Sequence, residues 1–424
     1  MAARADILKV FSLTSLSTLV RMCTGFISIK VVATIIGPSG VALLGQLNNF
    51  AEMTLSFAGG GINKGVTKYI SEFKEDDSAI ARYISAGLRI TVWCSLLCGA
   101  VLIIFHRFLS KTILLSDEFG YIFVIFGFTV ILYAINAFML SVVNGYKEFR
   151  RYVHINIAGS IVSLVFTVSL VLSLRLKGAL IAAVTYQSVS LLITLWMLRN
   201  AGWLKMVNFR LKSLSPEFKA YAGFSVMAVV TALCIPVSQM LLRGYVMTEI
   251  SETEAGWWEG MNRISAMYLM VITTSFSVYY LPRLSEIKTL AGVRSEVLRS
   301  FSVTAPLLIV GFVAIYLLRF YIIEVVFSAE FIPMARLFAW QMAGDFFKIS
   351  SWLVAYIMVA KAMTRTYIAT EIISTLIYTA LGFILVRING ITGLCQAYLI
   401  NYLIYCATMI VIFRHLYHRE IQKQ

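Results

Sequence analysis

The residues of this chain that could take part in chemistry are charged side chains inside apolar runs. The stretch "STLVRMCTGFISIKVVATIIG", residues 17–37, is apolar enough to lie in lipid, yet it contains Arg21 and Lys30. A cation near the centre of a bilayer costs roughly 3 kcal/mol on insertion scales, and more on an isolated helix. Such residues therefore indicate a binding site, an ion pathway or a specific partner.

Cations outnumber carboxylates at the fourteen polar positions inside apolar runs, where seven Lys or Arg are set against four Asp or Glu. A net positive interior lowers the cost of carrying an anion through lipid, and Arg offers a planar fork to phosphate oxygens. We therefore expect an anionic cargo, with phosphate as the leading candidate. The predicted substrate-binding residues are Arg21, Lys30, Asn48, Asn49, Lys64, Arg243, Arg263 and Lys348.

Some of these residues have simpler explanations. Glu259 and Arg263 are spaced i,i+4 and are expected to pair, and Asp345 and Lys348 at i,i+3 can neutralise each other. Lys64 is equally well explained as a cytoplasmic anchor. Lys30 and Arg243 occupy nearly equivalent positions in the two halves of the chain, so these two are favoured to line a cavity.

The acidic residues deep in apolar runs are candidates for ion coupling. If the coupling ion is a proton, Glu52, Asp345 and Glu371 are its predicted carriers, a hypothesis that rests on their depth. The four histidines form no H-E-x-x-H motif, and the sequence has neither a G-x-S-x-G elbow nor a P-loop. We therefore predict no enzyme activity, no metal site and no cofactor.

The composition indicates that these residues belong to a membrane protein. Of 424 residues, 59% are hydrophobic and 13% are charged, whereas soluble domains have about 25% charged residues. Runs long enough to cross roughly 30 Å of hydrocarbon predict twelve spans. They lie near residues 8–36, 41–62, 83–105, 120–143, 153–174, 178–198, 220–246, 259–281, 301–318, 334–360, 367–386 and 393–413.

The net charge of +15 would suggest nucleic acid in a soluble protein, but the distribution of Lys and Arg indicates a membrane topology instead. If both termini are cytoplasmic, the cytoplasmic segments contain 23 Lys and Arg, and the external loops contain 6. This bias follows the positive-inside rule. We therefore predict a multi-pass membrane protein with both termini in the cytoplasm, contacts with anionic lipids, and no nucleic-acid partner.

The second half of the chain repeats the first. "SEFK" at 71–74 matches "SEIK" at 285–288, and further polar matches follow in order at nearly the same offset. Because each half has six spans, the halves enter the membrane in the same orientation. The predicted fold is all-α, with twelve transmembrane helices in two parallel six-helix bundles related by a pseudo-two-fold axis. The N-terminal bundle would cover residues 1–205 and the C-terminal bundle residues 206–424.

Three stretches of the first 150 residues resemble a known family. "GPSGVALLGQLNNF" at 37–50, "GGGINKGVTKYISEF" at 59–73 and "NGYKEF" at 144–149 are similar to the Wzx-type flippases of the MOP exporter superfamily. These flippases are the O-antigen and lipid III translocases of Gram-negative inner membranes. This chain has Lys64-Gly65 where such proteins often have Asn-Gly.

The resemblance implies a flippase that moves undecaprenyl-pyrophosphate-linked oligosaccharide, an O-antigen or enterobacterial common antigen repeat unit, from the cytoplasmic to the periplasmic leaflet. It further implies alternating access through a cationic central cavity, coupling to an ion gradient, and basic residues in span 1 at the positions of Arg21 and Lys30. A polysaccharide polymerase and a chain-length regulator are the expected protein partners. Two alternatives stay open: a cation-coupled multidrug exporter of the same superfamily, and a scaffold of a polysaccharide assembly complex.

Overall fold

The computed structural model describes residues 2–73, 76–203, 216–276, 280, 283–284, 287, 289–360 and 363–421. Within these residues every regular element is a helix, so the predicted all-α class is confirmed. Short 3₁₀ helices cover Asp117–Phe119 and Ala329–Leu337. The α-helices of the described residues are α1 (Ala2–Ala58), α2 (Asn63–Glu72), α3 (Asp77–Ile104), α4 (His106–Ile113), α5 (Gly120–Gly145), α6 (Phe149–Leu198), α7 (Pro216–Glu249), α8 (Glu252–Ser275), α9 (Leu290–Leu317), α10 (Arg319–Val326), α11 (Phe338–Ala360), α12 (Thr364–Asn389) and α13 (Thr392–Ile421).

Two of these helices, α1 and α6, are much longer than a single membrane crossing requires. A straight helix of 57 residues, the length of α1, would measure about 85 Å, against roughly 30 Å of hydrocarbon. The chain leaves helical geometry at Gly37, where φ is 66° and ψ is −176°, and Pro38 follows. Glycine adopts a positive φ without steric cost, and proline has no N–H to continue the preceding helix. The kink therefore separates residues 2–36 from residues 38–58, close to the predicted boundary between spans 1 and 2.

The 50-residue helix α6 reverses direction at Arg175, where φ is 50°. A Cβ added to Gly178 would lie 1.9 Å from the carbonyl oxygen of Leu170. Eight residues of straight helix would separate these positions by about 12 Å, so the chain folds back on itself here. Glycine is needed at 178 because any side chain would meet the backbone of the preceding segment. This reversal lies between the predicted spans 5 and 6.

The apolar helices are numerous enough for a polytopic membrane protein. Within the described residues, seven helices are long and apolar enough to cross a membrane, and the kinked α1 and α6 are two of them. The predicted number of twelve crossings and the pseudo-two-fold relation between the two halves stay predictions.

The chain divides into two compact units. The first unit contains Met1–Ile36 and Leu43–Met240, and the second contains Gly37–Ala42 and Leu241–Gln424. The predicted boundary at residues 205 and 206 lies outside the described residues, and the two-bundle division stays a prediction.

The first part of α7 is held in the first unit by aromatic and polar contacts. The Tyr221 hydroxyl donates to the backbone oxygen of Tyr83 at 3.1 Å. The Tyr83 ring stacks on Tyr69 with centroids 4.6 Å apart. Arg82 Nε lies 3.0 Å from Glu217 Oε1. These contacts explain why the unit boundary falls within α7 and not before it.

In the second unit, a glycine lets two helices approach closely at the site described below. A Cβ added to Gly344 of α11 would lie 2.4 Å from Cδ1 of Tyr398 on α13. Only a residue without a side chain fits at this separation. The close approach places the neighbouring residue, Asp345, within hydrogen-bonding distance of the Tyr398 hydroxyl.

Candidate functional site

In the first unit, charged and polar side chains lie around Tyr186 of α6. Arg21 Nη2 of α1 is 3.5 Å from the side-chain oxygen of Asn156, and its charge acts on the Tyr186 hydroxyl. The charge of Glu52, from the second half of α1, acts on the hydroxyls of both Tyr186 and Tyr133. Two predicted site residues, Arg21 and Glu52, therefore act electrostatically on one tyrosine that is not among the residues predicted from the sequence.

The other predicted residues of this unit are distributed along α1 and α2. Lys30 is half-buried in α1. Asn48 is also half-buried, and Asn49 Nδ2 next to it donates to Gln239 Oε1 at 3.1 Å. Lys64 is exposed in the first turn of α2. The roles proposed for these four residues in substrate binding stay predictions.

The second unit contains two arginines that share one carboxylate. Arg263 Nε donates to Glu259 Oε1 at 2.9 Å, the i,i+4 pair that the sequence predicted. Arg243 Nη2 of α7 donates to the other oxygen, Oε2, at 2.5 Å. The Arg243 guanidinium also lies over the Trp258 ring, 5.3 Å from its centroid. Glu259 therefore pairs with two arginines, one from α7 and one from its own helix.

The environment of Arg243 differs from the predicted one. The sequence favoured Arg243 as a residue that lines a cavity, whereas the structure leaves it 0% exposed. A buried guanidinium is tolerated where a carboxylate compensates for its desolvation, and Glu259 does so here. Of the two arginines, Arg263 is the more accessible, with 18% of its side chain exposed. Substrate binding by either arginine stays a prediction.

A second polar cluster in this unit is centred on Asp345 of α11, which is 0% exposed. Its Oδ2 accepts hydrogen bonds from Ser265 Oγ of α8 at 2.7 Å and from the Tyr268 hydroxyl. Its Oδ1 accepts from the Tyr398 hydroxyl of α13 at 2.7 Å. Three neutral donors therefore satisfy a carboxylate that would otherwise be costly to bury.

Lys348 is connected to Asp345 through a tyrosine. Its Nζ donates to the Tyr398 hydroxyl at 3.0 Å, and that hydroxyl donates to Asp345. The sequence predicted that Lys348 and Asp345 neutralise each other, and the structure inserts a phenol between them. The ammonium also lies 5.1–5.3 Å from the ring centroids of Trp352, Tyr398 and Tyr402, at cation–π distance.

Glu371 of α12, the third predicted ion carrier, lies on the same tyrosine-rich face of α13. Its Oε1 accepts from the Tyr405 hydroxyl at 3.0 Å, and its charge acts on Lys348. Residues 398, 402 and 405 share one face of α13, because spacings of four and three residues lie on one side of a helix. The spacing of the tyrosines in "AYLINYLIY" at 397–405 indicates this face, although none of the three is among the predicted site residues.

The described residues contain no group of three or more His, Cys, Asp or Glu side chains that could hold a metal ion. The contacts that these sites show are ion pairs, hydrogen bonds and cation–π contacts. Asp345, Lys348 and Glu371 lie together in one cluster, whereas Arg243 and Arg263 lie together around Glu259.

Solved structures show the class to which this fold belongs. The structure matches an inward-facing multidrug resistance MATE family transporter of the MOP superfamily with a TM-score of 0.79, at 12% identity, over 95% of this chain and 98% of the other. It matches the lipid II flippase MurJ in an inward closed conformation with a TM-score of 0.75, at 14% identity, over 94% and 87% of the two chains. The chain therefore has the fold of a MOP superfamily transporter, and it is a multi-pass membrane protein.

Sequence comparison gives the family. Residues 7–288 match the family described as polysaccharide biosynthesis protein, and the chain belongs to this family. Proteins named lipid III flippase from Escherichia coli (strain K12) and from Shigella flexneri are each 27% identical over 412 residues, covering 95% of this chain and 97% of theirs. The predicted relationship to flippases of the MOP superfamily is confirmed, and these relatives are transporters, in agreement with the prediction that the chain is not an enzyme.

Proposed function

We propose that this chain is a flippase for undecaprenyl-pyrophosphate-linked oligosaccharide in a bacterial inner membrane. It would carry an O-antigen or enterobacterial common antigen repeat unit from the cytoplasmic to the periplasmic leaflet. The family and the two relatives named lipid III flippase support a lipid-linked glycan as the cargo. The observation that carries the proposal is the group of cations in the interior, where Arg243 and Arg263 both pair with Glu259.

The interior cations suit the chemistry of the cargo. A diphosphate group crossing hydrocarbon needs compensating charge, and guanidinium groups bind phosphate oxygens with two parallel hydrogen bonds. Arg263 is partly exposed and Arg21 is exposed on α1, so both guanidinium groups are accessible to a ligand. We assign phosphate contact to these two residues first, with Lys30, Asn48, Asn49 and Lys64 as further contacts.

Alternating access driven by an ion gradient completes the proposed mechanism. Glu52 near Tyr186 in the first unit, and Asp345 and Glu371 in the second, are the proposed ion carriers. A carboxylate in an apolar interior binds a proton or a cation more readily than one in water. Uptake on one side of the membrane and release on the other would then drive the conformational cycle.

Complementation of E. coli K12 lacking its lipid III flippase tests the proposal. The chain is expected to lower the pool of accumulated lipid-linked oligosaccharide and to restore surface glycan. Arg21→Gln and Arg263→Gln should slow flipping about tenfold or more, because a hydrogen bond to a charged group contributes roughly 1.5–3 kcal/mol. Lys111→Gln, an exposed cation outside the predicted spans, is the matched control and should behave as wild type.

Two results would overturn the proposal. Unchanged lipid-linked pools together with export of cationic dyes would favour the multidrug exporter. Full rescue by every interior-charge variant at matched expression would favour a scaffold, because a scaffold does not need charges in its interior.

A further inference from the structure

The Lys348 ammonium lies among three aromatic rings of the second unit. It is surrounded by the rings of Trp352, Tyr398 and Tyr402 at 5.1–5.3 Å, and it donates to the Tyr398 hydroxyl at 3.0 Å. Electron-rich ring faces and a hydroxyl oxygen form an environment that stabilises positive charge. The lysine supplies that charge from the chain itself.

Carboxylates flank this ammonium on both sides. Asp345 is linked to it by the Tyr398 hydroxyl, which accepts from Lys348 and donates to Oδ1. Glu371 accepts from Tyr405, and its charge also acts on Lys348. With both acids ionised the three groups carry a net charge of −1, and uptake of one proton makes the cluster neutral.

The two carboxylates differ in how they are satisfied. Asp345 accepts three hydrogen bonds, from Ser265, Tyr268 and Tyr398, an arrangement that suits an ionised carboxylate because such a group only accepts. Glu371 has one such bond, from Tyr405. Of the two acids, Glu371 therefore has the fewer hydrogen bonds that an added proton would disturb.

We propose that Lys348 is a tethered cation that fills the ion-coupling site of the second unit, and that the coupling ion is therefore a proton taken up by Glu371. This inference deepens the proposed function and rests on it. A proton from hydronium forms an O–H bond at Glu371 and leaves water. The ammonium is then held by Asp345 alone, through Tyr398. Loss of the proton restores the negative charge of Glu371 and draws the ammonium toward Tyr402 and Glu371.

The other titratable groups around Lys348 bear on which of the two carboxylates takes up the proton. Tyr268 and Tyr398 both donate to Asp345, whereas Tyr405 alone donates to Glu371, so the change of charge is assigned to Glu371. Among the described residues, the titratable groups near Lys348 and the two acids are Tyr268 on α8, Tyr367 on α12, and Cys395, Tyr398, Tyr402 and Tyr405 on α13. Tyr378 of α12 packs against Tyr398, and the charge of Arg243 from α7 acts on Tyr378.

Tryptophan fluorescence of the purified protein tests the switch without any transport. The Trp352 ring lies 5.3 Å from the Lys348 ammonium, so movement of Lys348 should change the fluorescence emission of Trp352. The emission of Trp352 is obtained as the difference between the spectra of wild type and Trp352→Phe. We expect a single pH transition that is lost in Glu371→Gln and in Lys348→Met. Sodium chloride replacing choline chloride at constant ionic strength should have no effect. A sodium-dependent change, or a pH transition that persists in Glu371→Gln, would overturn the inference.

Transport in proteoliposomes tests the coupling itself. With lipid-linked oligosaccharide as cargo, one unit of pH gradient should shift its distribution between leaflets up to tenfold if one proton moves per cycle, since one pH unit is a factor of ten in proton activity. A sodium gradient should not shift it. Lys348→Ala should lose the response to pH and regain it with added ethylammonium. Lys348→Met, which fills the vacated space, should lose it without rescue.

The two sets of results separate the inference from the proposed function. Absence of flipping by wild type, together with an intact fluorescence transition, would refute the flippase and support the tethered cation. Flipping driven by a sodium gradient would support the flippase and overturn the tethered cation.

Discussion

Glu259→Gln removes a carboxylate that pairs with two arginines, and its expected cost follows from their burial. Arg243 is 0% exposed and Arg263 has 18% of its side chain exposed. Loss of one partner from a buried ion pair costs about 3–5 kcal/mol. Because glutamine keeps one acceptor oxygen, we expect a loss of about 3 kcal/mol in the free energy of unfolding. That is roughly a hundredfold change in the unfolding equilibrium constant, since 1.4 kcal/mol is a factor of ten.

A matched pair elsewhere in the second unit provides the control. Glu254 lies 3.0 Å from Arg336, whose side chain is 47% exposed, so Glu254→Gln should cost about 1 kcal/mol or less. Equilibrium unfolding by SDS in mixed micelles, followed by tryptophan fluorescence, measures both variants. In the Arg243→Met/Glu259→Gln double variant, stability should return in part, because the fully buried cation is removed together with its carboxylate, while Arg263 loses its carboxylate but is 18% exposed. Equal stability of the two single variants would refute the compensation by Glu259.

Three further outcomes are expected. Gly344→Ala should destabilise the protein by about 1–3 kcal/mol, because the new Cβ would overlap the Tyr398 ring. Gly311→Ala should leave the stability unchanged, because nothing lies within 4 Å of the new Cβ. Thermal unfolding in detergent compares the stabilities of the two variants. Tyr398→Phe should cost about 1–3 kcal/mol, because the Asp345 oxygen that it serves loses its donor, and the same unfolding assay measures this. Asp76 caps α3 by accepting a hydrogen bond from the Ala79 N–H, which lowers the pKa of its carboxyl. The stability that this cap contributes is therefore present above the ordinary carboxyl pKa and is lost as the pH falls through the folded pKa. Asp76→Asn should keep the cap and remove this pH dependence, as measured by thermal unfolding between pH 7 and pH 3.

The sequence was sufficient for features that depend on local pattern. Apolar run length and the charge distribution gave the membrane class, and Gly37-Pro38 lies where the first long helix kinks. The Glu259–Arg263 pair was predictable because both residues lie one turn apart on one helix. Each of these features is decided by neighbours in the chain.

Contacts between helices could not be read from the sequence. Arg243 is 16 residues from Glu259 and on another helix, so nothing local showed that its charge is already compensated. The link between Lys348 and Asp345 needs a tyrosine 50 residues further on, brought close by Gly344. Helix packing sets these distances, and one sequence gives the spacing along a helix but not its neighbours.

The short turn between the two halves of α1 packs against a helix that is synthesised much later, so this part of the fold can form only after that helix is made. Residues Gly37–Ala42 belong to the second unit, where the Ser39 hydroxyl lies 3.3 Å from that of Thr253, a partner 214 residues later in the chain. A Cβ at Gly256 would lie 2.0 Å from the Pro38 carbonyl oxygen, so this contact is tight. At about 5–20 residues per second, the turn waits roughly 10–40 s on the ribosome for its partner helix. A nascent chain that stops before α8 therefore leaves this turn without the helix against which it packs.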